Sequence, residues 1–176
     1  MQAIILQRRD FREYDQIVAV YTKEKGKLEL LARGVKKITS KNAAHLEPFC
    51  FVLIEVAPGK EINHLTKVVP VEMFAEIRSD FSKSMAAGYA VTLVDHLVKT
   101  GQADAKIWGL LVEWLRQLNK TGLIQIDAFV LRLFSHLGYR PILDRCVICG
   151  KTYQQMVKDE LLNKKKSGLY FAGGGL

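Results

Sequence analysis

The spacing of apolar residues changes once along this chain, from a period of two to a period near 3.6. The first 71 residues hold short runs rich in β-branched and aromatic side chains, separated by turn residues. These runs predict five strands: Ala3–Gln7, Gln16–Thr22, Lys27–Arg33, Phe49–Val56 and Glu61–Val71. After residue 85 the apolar residues predict three amphipathic helices, within Ala86–Val98, Ile107–Leu118 and Ile126–Leu137.

Strands that all precede the helices predict an α+β protein. Five short strands joined by turns within about 70 residues favour a small barrel or sandwich. Three helices with wide apolar stripes must bury them against one another and against that barrel. Polar residues suited to helix capping occur at Arg78–Asp80. We therefore expect a β domain at residues 1–78 and a helical domain at residues 79–176.

Charge is the most informative feature of the composition. The 176 residues include 26 Lys and Arg against 18 Asp and Glu, which gives a net charge of +8. The excess lies at the start: residues 1–45 carry ten basic and five acidic residues, whereas residues 46–80 carry three and six. A basic balance of this kind favours nucleic acid or another anionic surface as the partner.

Membrane and secreted classes are excluded by the same sequence. The longest apolar segment, Met85–Val98, is interrupted by Asp95, so no membrane span is expected. The N-terminus has no basic segment ahead of its apolar run, unlike a signal peptide. Three cysteines are an odd set, which argues against a secreted disulfide framework. We expect a cytoplasmic protein.

The segment at residues 33–41 is the leading candidate for phosphate contact. It offers four cations and two hydroxyl groups, contains no acidic residue, and is predicted to join two strands. Its cations are Arg33, Lys36, Lys37 and Lys41. The alternative is a solvated loop that only aids solubility. A role in binding requires that these cations crowd one rim of the barrel and are not locked in ion pairs with neighbouring acids.

Two further basic groups complete the candidate contacts. Arg8 and Arg9 lie with Arg12 near three aromatic residues that could stack on bases, namely Phe11, Tyr14 and Tyr21. The alternative is that these rings belong partly to the core. Lys23 and Lys25 occupy the turn before the third strand, together with Lys27. Glu24 and Glu29 dilute that group, which favours simple solvation there.

Cys146 and Cys149, followed by Gly150, have the spacing of a zinc knuckle. A structural zinc needs four ligands, and no second Cys-x-x-Cys follows in the sequence. Cys50 is expected to be a core thiol and His136 a structural histidine. A redox-active pair is the alternative, but the βαβ unit that usually carries one is not visible.

No catalytic motif is present. The sequence has no phosphate-binding Gly loop opening a helix, no HExxH and no G-x-S-x-G. The nearest carboxylate cluster is Asp10, Glu13 and Asp15, and it is interleaved with three arginines. Surface ion pairing is the expected role of these acids, so we expect a protein that is not an enzyme.

Five separated motifs, taken in order, resemble the bacterial recombination mediator family RecO. The match runs in register from residue 3 to about residue 150. The matching residues are Ala3, Arg9–Phe11, Glu13, Asp15 and Ile17–Val18; Gly26–Lys27; Ala32–Gly34 with Lys36 and Lys37; Leu46 with Pro48–Phe49; and Leu137–Tyr139, Pro141, Leu143–Asp144, Cys146 and Cys149–Gly150.

This resemblance implies an N-terminal OB-fold barrel followed by a helical domain with a four-cysteine zinc site. It implies a mediator of DNA repair and recombination in the RecFOR pathway, associated with the nucleoid. Such a protein binds single- and double-stranded DNA and anneals complementary strands. With RecR it helps to load RecA onto strands coated by single-strand binding protein. None of these steps is catalysis.

The resemblance also assigns residues. Arg33, Lys36, Lys37 and Lys41 become the leading DNA contacts, and Cys146 and Cys149 the first zinc pair. The second pair would follow a Gly-Gly-Leu such as Gly174–Leu176, where this sequence ends, so a truncated chain is one expectation. Contact with the acidic tail of single-strand binding protein is placed in the helical domain, where Arg132 and Arg140 are candidates.

Two alternatives remain open at this stage. One is an RNA-binding OB-fold protein of the translation machinery. The other is a protein-interaction scaffold whose basic face meets an acidic partner instead of nucleic acid.

Overall fold

The structure is a computed structural model, and it describes residues 1–37, 40, 43–121, 125–142, 144–146, 148–152 and 154–155. Strands come first and helices follow, as the change of period predicts. The strands are β1 (Gln2–Asp10), β2 (Gln16–Thr22), β3 (Gly26–Ala32), β4 (Phe51–Ala57) and β5 (Asn63–Glu72). The helices are α1 (Ala75–Ser79), α2 (Phe81–Leu97), α3 (Ala105–Thr121) and α4 (Ile126–His136), with a 3-10 turn at Ala43–Leu46.

The five strands close into a barrel in the order β1-β2-β3-β5-β4. Neighbouring strands are antiparallel except for β3 and β5, which run parallel with Leu30 opposite Asn63. Closure leaves no free sheet edge among these strands. The barrel followed by helices confirms the predicted α+β class, and the strand order is that of an OB-fold.

The barrel interior is filled by small and branched side chains. Alternate residues of each strand point inward, which is why the period of two in the sequence located the strands. Cys50 lies just before β4 and is fully buried in this core, as expected. Burial raises the pKa of its thiol, while the Arg78 guanidinium opposes that rise.

The fourth strand begins two residues later than predicted. Phe49 has a φ of 56°, a left-handed backbone conformation that cannot continue a strand. Its ring is buried and lies under the Arg78 guanidinium, 4.8 Å from the ring centroid to Cζ. Arg78 also donates to the carbonyls of Pro48 and Met73. The corner is thus held by an arginine about thirty residues away in sequence, which a local pattern cannot reveal.

The barrel and the first helices form one compact unit, Met1–Phe129. Asp80 caps α2 by accepting a hydrogen bond from the Lys83 N–H at 2.9 Å, which confirms the predicted capping segment. Lys27 on β3 forms an ion pair with Asp95 on α2 at 2.8 Å, and both side chains are largely buried. Glu72 at the end of β5 pairs with Arg116 on α3.

Val130–Leu176 forms the second compact unit, so the division falls within the residues of α4. The domain boundary predicted at residue 78 stays a prediction. Among the described residues, no helix combines the length and apolar character needed to cross a bilayer.

Candidate nucleic-acid interface

Two loops meet at one end of the barrel. Gln16, the first residue of β2, lies opposite Asp10 at the end of β1 and opposite Ala32 at the end of β3. The β1–β2 loop, residues 11–15, and the segment after β3, residues 33–37, therefore start side by side. They are joined by hydrogen bonds from the Lys36 N–H to the Tyr14 carbonyl (3.1 Å) and from the Gly34 N–H to Asp15 Oδ1 (2.8 Å).

Cations and exposed aromatic rings share this end of the barrel. We call them the rim surface: Phe11, Arg12, Tyr14, Arg33, Lys36 and Lys37, all exposed. Arg12 Cζ lies 5.0 Å from the centroid of the Phe11 ring. Lys37 Nζ lies 5.6 Å from the centroid of the Tyr14 ring.

The predicted loop cations differ in whether they are free. Among the described residues, Arg33 and Lys37 form no ion pair; the Arg33 guanidinium lies 3.5 Å from His64 Nε2. Lys36, in contrast, lies 2.7 Å from Asp10 Oδ2. Lys41 and its neighbours Ile38 and Thr39 lie outside the described residues. Within the described part of this segment, Arg33 and Lys37 meet the requirement of unpaired cations, and Lys36 does not.

Arg8 and Arg9 do not meet that requirement either. Arg8 forms an ion pair with Glu47 at 2.6 Å, and Arg9 pairs with Glu29 on β3 at 3.1 Å. The surface ion pairing expected around these arginines is therefore present, but the partners are acids distant in sequence, which strand pairing and the 3-10 turn bring close. Their contact with DNA stays a prediction.

Lys23 and Lys25 lie away from the rim surface. They occupy the turn after the last residue of β2, whereas the rim surface adjoins its first residue. A seven-residue strand separates the two ends by about 20 Å. Both side chains are exposed, which agrees with the alternative of simple solvation. The structure therefore does not bring these two lysines together with the loop cations.

Of the three aromatic candidates, two are exposed, and the third agrees with the alternative of a core position. Phe11 and Tyr14 are 47% and 45% exposed. Tyr21 is fully buried, stacked near Trp108 with 6.5 Å between ring centroids. Its hydroxyl accepts the Asp104 N–H at 3.2 Å. A buried ring cannot stack on a base, so Tyr21 is excluded as a stacking platform. It instead holds the barrel to the segment before α3.

Two acids at the ends of the β1–β2 loop, Asp10 in β1 and Asp15 in the loop, organise the rim surface, a role that was not predicted from the sequence. Asp10 pairs with Lys36 and Asp15 holds the Gly34 N–H, whereas the sequence suggested pairing with Arg8, Arg9 and Arg12. Hydrogen bonds from Gln16 and then Lys36 hold the pKa of Asp10 below its ordinary value. The signal in the sequence was weak: an acid at each end of a hairpin loop.

Cys146 and Cys149 lie close together on one tight turn. The Gly150 N–H donates to the Cys146 carbonyl at 2.8 Å, and backbone N–H groups of Cys149 and then Ile148 hold the pKa of the Cys146 thiol below its ordinary value. This environment favours a thiolate and suits two ligands of a zinc site. The described residues bring no third His, Cys, Asp or Glu to the pair.

A cavity of about 660 Å³ lies in the second unit. Leu131, Pro141 and Ile142 supply apolar wall, and Arg132 and Arg140 both line the cavity. Neither arginine forms an ion pair among the described residues. Asp144 also lines it, but is paired with Arg145 at 3.1 Å. Two cations beside apolar wall are suited to an acidic peptide with apolar residues.

Comparison with known proteins gives one family for both parts of the chain. The N-terminal model of recombination protein O matches residues 1–74, and the C-terminal model matches residues 78–163. Proteins named DNA repair protein RecO are similar over 85% of this chain. They include those of Syntrophomonas wolfei (34% identical, 61% of the relative's length), Roseiflexus sp. (35%, 53%) and Geobacter sulfurreducens (36%, 62%).

The matched segment spans 53% to 62% of the length of these curated relatives. The two models follow each other without overlap and together reach from residue 1 to residue 163. Their order agrees with the barrel-then-helix architecture. The chain belongs to the recombination protein O family.

Proposed function

We propose that this protein binds DNA, single- and double-stranded, through the rim surface and acts as a mediator of DNA repair and recombination. The observation that carries the proposal is that two cations without ion pairs among the described residues, Arg33 and Lys37, lie at the same end of the barrel as exposed aromatic rings. The loops that carry them are hydrogen-bonded to each other. Phosphates attract cations, and unpaired bases stack on rings. Membership of a family whose relatives are named DNA repair proteins supports the same conclusion.

The mechanism is charge neutralisation without catalysis. Two single strands repel each other through their phosphates, and a basic surface that screens both raises their local concentration. Pairing then nucleates, and base stacking makes the duplex favourable without fuel from the protein. The protein thereby promotes annealing of complementary strands in the bacterial cytoplasm, on the nucleoid.

Partner proteins belong to the same proposal. The cavity with Arg132 and Arg140 fits the acidic tail of single-strand binding protein by charge and by its apolar wall. Binding that tail would bring the rim surface to strands already coated by single-strand binding protein. RecR is the proposed partner with which this protein helps to load RecA onto those strands.

Zinc is the proposed cofactor. Cys146 and Cys149 would supply two thiolate ligands, and the remaining ligands would come from outside the described residues. A zinc there would be structural and would order the turn rather than react. Zinc content, measured on the protein and on Cys146→Ser, tests this directly: the proposal requires loss of metal in the variant.

Salt dependence of DNA binding tests the function. Affinity for a labelled single strand should fall steeply with salt, because each phosphate contact releases a counterion. Exchanging Arg33 and Lys37 for Glu together should weaken binding at least tenfold and lower the salt slope by about 2. The matched control makes the same charge change at Lys23 and Lys25, about 20 Å away, and should weaken binding far less.

The outcomes separate the alternatives. Affinity that is unchanged from low to high salt would contradict charge neutralisation. Equal losses in both double variants would mean that overall charge, not the rim surface, attracts the strand. Preference for an RNA strand over the matched DNA strand would favour a translation-associated protein, since the 2′-OH distinguishes them. If the protein binds neither the DNA nor the RNA strand, the remaining alternative is a scaffold that binds an acidic partner protein.

A further inference from the structure

Two aromatic side chains of the barrel are left in solvent. Residues 1–72 contain five aromatic residues, and Tyr21, Phe49 and Phe51 are buried. Phe11 and Tyr14 are instead about half exposed, and both lie in the β1–β2 loop. Leaving two rings in water on one five-residue loop sacrifices apolar burial. What distinguishes these two rings is that they share one short loop, which is fixed to a second, basic loop.

The loop that carries these rings is held in place. The N–H groups of Phe11 and Arg12 both donate to the Asp15 carbonyl, at 3.1 and 3.3 Å, which closes the loop on itself. The Tyr14 carbonyl and the Asp15 carboxylate in turn accept backbone N–H groups of the segment after β3. The rings are therefore presented from a preorganised loop, so little ordering is needed on binding.

A cation lies over one face of each ring, Arg12 over Phe11 and Lys37 over Tyr14. A single strand offers phosphates and unpaired bases in alternation along its length. A surface on which cations lie next to aromatic rings can therefore contact phosphates and bases at the same time. A duplex offers only its phosphates to such a surface, because its bases are stacked inside.

We propose that Phe11 and Tyr14 stack on bases and give the rim surface its preference for single strands. The inference rests on the proposed function and deepens it: the cations hold any DNA, and the rings recognise unpaired bases. Base–aromatic stacking contributes about 1–3 kcal/mol per base, which corresponds to about 5- to 150-fold in affinity. Each ring removed should therefore cost about tenfold in single-strand affinity.

The test compares three probes of equal length, about 16 nucleotides: an oligothymidylate, the same backbone carrying abasic sites, and a blunt duplex. The full chain should bind oligothymidylate about a hundredfold more tightly than the abasic strand, with about tenfold from each ring. In Phe11→Ala and Tyr14→Ala that difference should shrink, while affinity for the abasic strand and the duplex changes less than twofold. The abasic strand isolates stacking, because its phosphates are the same.

Two further variants complete the design. Tyr14→Phe keeps the ring and removes the hydroxyl that hydrogen-bonds Glu13, so it should bind as tightly as the unaltered protein. Tyr89→Ala removes an equally exposed ring from α2 and should change nothing. In Phe11→Trp, indole fluorescence should be quenched by oligothymidylate and not by the abasic strand.

The result that overturns the inference differs from the result that overturns the function. If the protein binds all three probes with strong salt dependence but the Ala variants keep the base-dependent difference, only the stacking role is wrong. Equal losses on all three probes would mean that the rings merely support the cations. If the protein binds no probe, the proposed function fails and the stacking role with it.

Discussion

Lys36 and Asp10 form an ion pair across the two loops of the rim surface, with Nζ 2.7 Å from Oδ2. In the protein without DNA, the Asp10 carboxylate neutralises the Lys36 ammonium group that a phosphate would otherwise contact. We predict that Asp10→Asn strengthens DNA binding about two- to tenfold at low salt, because the competing charge is lost. Melting temperature should hardly change, since exposed ion pairs contribute about 0–1 kcal/mol. Oligonucleotide titration and thermal unfolding measure the two effects.

Glu55→Gln is the matched control for that substitution. It breaks an exposed pair, Lys67–Glu55 at 3.2 Å, that lies outside the rim surface, and it should leave affinity unchanged apart from the small effect of overall charge. Because the pKa of Asp10 is held below its ordinary value, mild acid should not mimic Asp10→Asn. Weaker binding by Asp10→Asn would mean that Asp10 positions Lys36 for DNA instead of competing with it.

This ion pair shows where prediction from the sequence stops. Strand and helix periods located every barrel strand and the three long helices, because burial on one face imposes a period on the residues themselves. Pairing of side chains follows strand register instead. Asp10 meets Lys36 and Arg9 meets Glu29 only because β1, β2 and β3 are aligned as they are, and local spacing carries no record of that alignment.

The same distinction, between local sequence pattern and strand register, applies to the candidate site. The composition of residues 33–37 was enough to locate cations, and an exposed Phe11 and Tyr14 agree with the predicted basic-aromatic surface. Tyr21 could not be separated from them in the sequence, because it alternates with the barrel-core residues Val18 and Val20 and so belongs to the outer face of β2. It is buried there only because Trp108 of α3 packs against it. The sequence did place Lys23 at the far end of β2, in the turn that follows Thr22.

Tyr21 is predicted to make stability depend on alkaline pH. Burial raises the pKa of its phenol, so the unfolded chain releases this proton near pH 10 and the folded protein releases it only at higher pH. The folded state binds more protons in that window, and the free energy of unfolding therefore falls as pH rises above about 10. In Tyr21→Phe, this contribution to the fall in the free energy of unfolding at alkaline pH should be absent.

At neutral pH, Tyr21→Phe should cost about 1–2 kcal/mol, because the Asp104 N–H loses its acceptor. The difference between the two proteins should then narrow above pH 10. Urea denaturation at a series of pH values measures both. Tyr139→Phe, at an exposed ring, is the control and should leave the curve unchanged. A parallel decline in Tyr21→Phe and the unaltered protein would contradict this role for Tyr21.

Gly26 is predicted to be irreplaceable at the contact between the β2–β3 turn and the segment before α3. Its φ is +69°, and a Cβ there would lie 2.0 Å from the Gln102 carbonyl oxygen. The Gly101 N–H also donates to the Lys27 carbonyl at 2.9 Å, which fixes the two segments together. Gly26→Ala should therefore lower the free energy of unfolding by about 2–4 kcal/mol.

At Gly109, in contrast to Gly26, replacement by alanine is predicted to stabilise the protein. It lies within α3, and a Cβ there would meet no atom within 4 Å. Gly109→Ala should raise the free energy of unfolding by about 0.5–1 kcal/mol, because alanine favours the helix. Urea midpoints of the two variants should move in opposite directions. Unchanged stability in Gly26→Ala would show that the turn does not pack against this segment.

The cavity in the second unit leads to a prediction about peptide binding that is independent of DNA. Arg132 and Arg140 line it beside Pro141 and Ile142, and Asp144 is already paired with Arg145. Neither guanidinium group forms an ion pair among the described residues, although Asp144 also attracts Arg140 electrostatically, and we expect both to bind acidic side chains. A labelled peptide with the acidic tail sequence of single-strand binding protein should bind, and changing both arginines to Ala should weaken binding at least tenfold. Fluorescence anisotropy measures this.

Controls separate the cavity from general charge attraction. Lys106→Ala removes an exposed cation from α3 and should leave peptide affinity unchanged. A peptide of the same composition in scrambled order should bind more weakly, because the apolar wall requires a particular order of apolar and acidic residues. The variant at Arg132 and Arg140 should still bind oligothymidylate, since the rim surface is intact. Loss of both peptide and DNA binding would instead mean that one basic surface serves both ligands.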